Sequence, residues 1–155
     1  MPLLRLAVIF AAVAAALALA AVASAALTPS AFRARASAVC AKGTAQDKAL
    51  GSLSLNATNV EVAKYLASDV GFARQEYASL RALQPPPSLV LAHRAALWAL
   101  QQVLVIADAE LKKMRAGADA MKVLVASKPK ADSLWRDWSG AWNAAGVAAC
   151  MDGFL

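Results

Sequence analysis

Two cysteines, one histidine, ten carboxylates and three closely spaced tryptophans are the residues of this chain with chemical potential. Cys40 and Cys150 lie far apart, without the Cys-x-x-Cys spacing of a redox motif. Two cysteines and one histidine are too few for a tetrahedral zinc site. In an oxidising compartment the pair is expected to form one structural disulfide. Closing a loop of about 110 residues would contribute on the order of 4–5 kcal/mol in the chain-entropy description.

His93 is the lone histidine. A general base needs a partner within hydrogen-bond reach, and the sequence around His93 offers no obvious one. The Glu-x-x-His pair of di-iron bundles and the Cys-x-x-Cys-His of covalent haem are absent. His93 therefore reads as a helix-end residue with its ring half buried. Asp69 falls among Leu66, Phe72 and Ala73 on the inner side of a helix, where a carboxylate needs a partner. Arg94 and His93 are the candidates. No Ser-His-Asp set can be singled out, so no catalytic residue, metal ligand or cofactor is assigned.

Trp135, Trp138 and Trp142 recur at steps of three and four, which puts them on one helical face. Packing into the core is the ordinary outcome. The alternative is an apolar pocket for a small ligand.

Lys112, Lys113, Arg115, Lys122, Lys128 and Lys130 fall within 19 residues that hold one acid, Asp119. Their excess of +5 equals the whole net charge of residues 26–155, with 15 basic and 10 acidic side chains. Such an end could contact anionic envelope polymers or lipid head groups. The plainer reading is complementation of a helix dipole.

The elements that position these residues begin after an address. Residues 6–23 contain no polar side chain, Arg5 precedes them, and Ala23-Ser24-Ala25 follows. This is the form of a secretory signal peptide, residues 1–25, cleaved after Ala25. A retained anchor is the rival, since the run approaches spanning length. Eleven of the chain's 41 alanines lie in that segment. Export disfavours nucleic acid as a partner. Residues 26–155 are long enough for one domain with its own core.

That domain reads as helices. Ser30 is a plausible N-cap for a helix at 31–50. Thr58-Asn59-Val60-Glu61 has capping-box form ahead of a helix at 59–83, which Pro85-Pro86-Pro87 terminates. Ser88 can cap a helix at 88–116, with Gly117 as its C′ residue. Residues 118–127 and 131–145 make a fourth helix broken near Pro129, and Gly146 stops it. Four such segments pack most simply as an all-α, up-down-up-down four-helix bundle. Its first and last helices would be antiparallel neighbours, closed by the disulfide once residues 146–150 fold back.

The exported start, Phe32-Arg33-x-Arg35 before Cys40, the triple proline, and Gly146-x-x-x-Cys150 at the end resemble small secreted bacterial helical-bundle proteins with one N-to-C-terminal disulfide. The resemblance implies the same bundle and bridge and carries over no catalytic residue. The expected function is a noncatalytic binding or structural component of the cell envelope or exterior, in contact with anionic polymers or lipids. The alternative is a carrier with a tryptophan-lined pocket.

Overall fold

The computed structural model describes residues 26–54 and 56–151; the expected signal peptide lies outside these residues. Four helices follow in order: α1 (Pro29–Leu50), α2 (Asn59–Arg81), α3 (Val90–Arg115) and α4 (Ala120–Ala145).

α1 starts two residues earlier than the Ser30 cap implied. Thr28 Oγ1 accepts from the Ala31 amide, and Pro29 occupies the first turn. Proline is pre-set for that position, so Thr-Pro outcompetes the serine as the start. α2 has the expected capping box: Glu61 N–H donates to Thr58 Oγ1, and Thr58 N–H to Glu61 Oε2. It ends at Arg81, ahead of the prolines.

Ser88 does not cap α3. Pro87–Leu89 form a 3-10 turn, with Leu89 N–H bonded to Pro86 C=O at 2.9 Å, and the α-helix begins at Val90. The backbone turn provides the start that a side-chain cap would have given. At the other end Gly117, at φ +89°, reverses the chain. Its N–H bonds Met114 C=O and that of Ala118 bonds Lys113 C=O, the double closure of a Schellman motif.

The expected break at Pro129 is absent: α4 runs unbroken from Ala120 to Ala145. Asp119 Oδ1 caps it through the Lys122 amide, and Asn59 Oδ1 accepts from the Ala120 amide. Val123 on one side of Pro129 and Leu134 and Trp138 on the other are all buried. Proline removes one hydrogen bond and crowds the preceding turn. Here its ring lies on the exposed face, and burial on both sides holds the helix continuous.

Consecutive helices run antiparallel. Leu27 N–H bonds Gln84 C=O, joining the start of α1 to the end of α2. His93 near the start of α3 reaches Leu80 near the end of α2, and Ser127 of α4 reaches Glu110 of α3. α1 and α4 meet where the first begins and the second ends. There Arg33 Nε donates to Ala145 C=O at 2.8 Å. The chain then folds back as a 3-10 turn, Ala148–Cys150, and Cys40 and Cys150 form the disulfide across a Cα–Cα distance of 5.1 Å.

Most of the core gathers at this end, around Phe32, Leu80, Leu100, Trp138 and Trp142. Full burial of one such side chain as Phe32 contributes about 1.5–3 kcal/mol. Smaller clusters, Val70 with Ala107 and Leu111 and Val62 with Met114 and Val123, continue toward the α3–α4 connection.

Candidate functional site

Helical spacing aligns the three tryptophans, and packing separates their roles. Trp138 and Trp142 are 1% and 0% exposed. They stack edge to face at 5.5 Å, and Trp138 Nε1 donates to Cys150 C=O at 2.7 Å. They are filled core and tether the C-terminal turn. Trp135, half-buried and edge-on to Trp138 at 6.2 Å, is the one of the three that borders a cleft. Of the three tryptophans, Trp135 alone lines this cleft.

The cleft lies between α3 and α4 and has a volume of about 390 Å³. Val103, Ile106, Met121, Leu124 and Val125 form its apolar walls with Trp135. Met121 and Val125 are each 63% exposed. Glu110, Ser127 and Asp69 supply its polar lining. Glu110 is only 8% exposed, and the Ser127 hydroxyl donates to its Oε1.

Behind Asp69 lies a second polar group. Asp69 and Glu76 of α2 face Asp47 of α1. Burial, then the Asp47 charge, pushes the Glu76 carboxyl up to about 7. The same two causes push Asp69 up to about 6. Burial also raises Asp47, partly offset by a hydrogen bond from Asp69. With both groups ionised, neither Asp47 oxygen has a donor; a proton held on Asp69 supplies one. Among the described residues, none of Asp47, Asp69, Glu76 and Glu110 is ion-paired. No group of three or more His, Cys, Asp or Glu side chains there is arranged to hold a metal ion.

Asp69 thus does not find the expected partner, Arg94 or His93. Arg94 is exposed. His93 is 4% exposed rather than half buried, and its Nε2–H donates to Leu80 C=O at 2.9 Å. Burial lowers its pKa. The neutral ring packs edge-on against Phe32 at 5.3 Å and closes the last turn of α2.

All six basic residues of the 112–130 stretch are exposed. Lys112, Lys113 and Arg115 occupy the last turn of α3 and Lys122 the first turn of α4. Because α4 is continuous, Lys128 and Lys130 stand about 12–15 Å along it rather than at the connection. Lys128 pairs with Asp132 at 2.8 Å.

Sequence reasoning did not single out Glu76, Glu110, Asp47 or Ser127. A signal was present for two. Val62, Leu66, Asp69, Ala73, Glu76 and Leu80 follow alternating steps of four and three, as do Val103, Ala107, Glu110 and Met114. A carboxylate in such a row is carried inward with its neighbours. No protein-family model matches the chain, and neither a curated protein nor a solved structure matches it.

Proposed function

We propose that the protein is an exported, noncatalytic binding component of the cell envelope, and that its α3–α4 side engages an anionic lipid surface. The observation that carries this reading is the set of exposed cations within residues 112–130, Lys112, Lys113, Arg115, Lys122, Lys128 and Lys130, together with exposed Met121 and Val125 on α4. Cations alone would serve an anionic polymer equally well. Apolar side chains interleaved with them favour a bilayer, where they enter the headgroup region while the lysines remain at the phosphates. The signal-peptide pattern of residues 1–25 supports an envelope location.

The test is sedimentation with vesicles of phosphatidylcholine, with and without phosphatidylglycerol, at low salt. The chain from Ala26 should bind only the anionic vesicles. Each lysine near such a surface contributes about 1 kcal/mol, so reversing Lys112, Lys113, Lys122 and Lys128 to glutamate should weaken binding by roughly a hundredfold or more. Unchanged binding of the reversed variant refutes the reading. Binding to soluble polyphosphate but not to vesicles replaces the bilayer with a polymer.

A further inference from the structure

The α3–α4 cleft pairs apolar walls with an acidic lining, a combination that selects for charge as well as for hydrophobicity. Val103, Ile106, Met121, Val125 and Trp135 give a surface on which an alkyl chain loses its water. Glu110 is a buried carboxylate whose hydrogen bond comes from one neutral hydroxyl, that of Ser127. A carboxylate has about four acceptor positions, so most of its capacity is unused. Asp69 lines the same cleft, and Asp47 and Glu76 lie behind it. Four carboxylates thus face the interior from three helices, without an ion pair among the described residues. The nearest cation on the cleft wall, Lys128, is held by both oxygens of Asp132 at 2.8 and 2.9 Å.

We propose that this cleft binds a medium-chain primary amine, its ammonium group against Glu110 and Ser127 and its alkyl chain along Val103, Ile106, Met121 and Trp135. The ammonium supplies the cation that the interior carboxylates lack, and a charge-assisted hydrogen bond is stronger than a neutral one. A fatty acid would bring a further carboxylate to the same place. An alcohol would satisfy a hydrogen bond and leave the charge uncompensated. At about 30 Å³ per heavy atom, the share of a liquid water, the cleft holds on the order of thirteen heavy atoms. Decylamine, with ten carbons and one nitrogen, fits within that limit. The cleft shares Lys128, Met121 and Val125 with the cationic side, but its selectivity for an amine comes from the carboxylates and does not rest on the lipid-surface reading.

Isothermal titration of the chain from Ala26 with submicellar decylammonium, decanol and decanoate tests the assignment. Decylammonium should bind about tenfold more tightly than decanol, the worth of a hydrogen bond to a charged group, and decanoate should bind most weakly. Glu110→Gln should abolish the preference for amine over alcohol. Val125→Arg, at an exposed position on the rim, should weaken decylammonium without touching the core, and so covers a Glu110 variant that fails to fold. Equal affinity for the three probes, no binding of any, or an amine preference that survives Glu110→Gln overturns the proposal. A variant reversing only Lys112, Lys113 and Lys122, none of which lines the cleft, should weaken vesicle binding and keep its decylammonium affinity, so failure on vesicles and failure in the cleft are separate results.

Discussion

The carboxylate of Glu76 lies over the bare backbone of Gly43, so close that a Cβ on Gly43 would stand 2.6 Å from Oε2 and 3.1 Å from Cδ. α1 and α2 approach at this point because one side carries no side chain. Glu76 is 6% exposed, which leaves its carboxylate little room to retreat.

Gly43→Ala tests that contact. In an open helix the change adds about 1 kcal/mol of stability through helix propensity. Here the new methyl displaces a buried carboxylate, so the variant should be less stable than the parent. In a Glu76→Ala background the same change should be stabilising by about 0.5–1 kcal/mol. Urea denaturation of the four proteins gives the coupling. The same effect in both backgrounds would contradict it.

Stability should fall as pH rises from about 4.5 to 7. The folded pKa of Glu76, about 7, lies above its ordinary value of 4.5, so the native state binds more protons in that window and the unfolded state gains as protons leave. Over the full window Glu76 accounts for on the order of 3 kcal/mol. Asp69 and Asp47, also raised, act in the same direction. His93 acts oppositely: its folded pKa is lowered, so protonation of the unfolded imidazole costs stability as pH falls below 6.5. The difference between parent and Glu76→Gln in thermal melts across pH isolates the carboxylate. Parallel profiles would be the wrong outcome.

The disulfide anchors the C-terminal turn on α1. Replacing Cys40 and Cys150 by alanine should cost about 4–5 kcal/mol, given a separation of 110 residues. Trp138 should report the loss, because its Nε1–H donates to Cys150 C=O. Denaturant melts followed by tryptophan fluorescence read both effects. A double variant as stable as the parent would show that the closed end is held by packing alone.

Pro129→Ala should stabilise α4. The proline lacks an N–H for the carbonyl one turn back, and its exposed ring contributes little to the core. Alanine restores the bond, and a gain of about 1–3 kcal/mol is expected. Thermal denaturation measures it. A loss of stability would mean that the proline shapes a bend on which the cleft depends.

Local chemistry wrote the helix boundaries that could be read in advance. Thr58 and Glu61, three residues apart, formed their box because both partners lie within one turn. Gly117 and Gly146 adopt the positive φ that lets a helix terminate. Thr28 in place of Ser30, and the turn at Pro87 in place of a Ser88 cap, show where two neighbouring signals competed and the proline set the outcome.

The candidate site was less legible. Periodicity carried Asp69 inward, but its neighbour proved to be Asp47 of α1, set by the crossing of two helices and not by any spacing along one. The tryptophans shared a face in sequence. Their depth depended on Phe32, His93 and the returning Cys150 turn, which bury Trp138 and Trp142 and leave Trp135 at the cleft.

By itself the sequence determined four amphipathic helices, the disulfide partners and the concentration of positive charge in residues 112–130. Each follows from composition or from contacts within a turn or two, where chain geometry is known beforehand. Tertiary structure decided that α4 passes through Pro129, that Glu76 rests on Gly43, and that Glu110 and Ser127 meet in an apolar cleft. Those relations join residues on different helices, and their distances depend on how side-chain volumes along whole faces interlock.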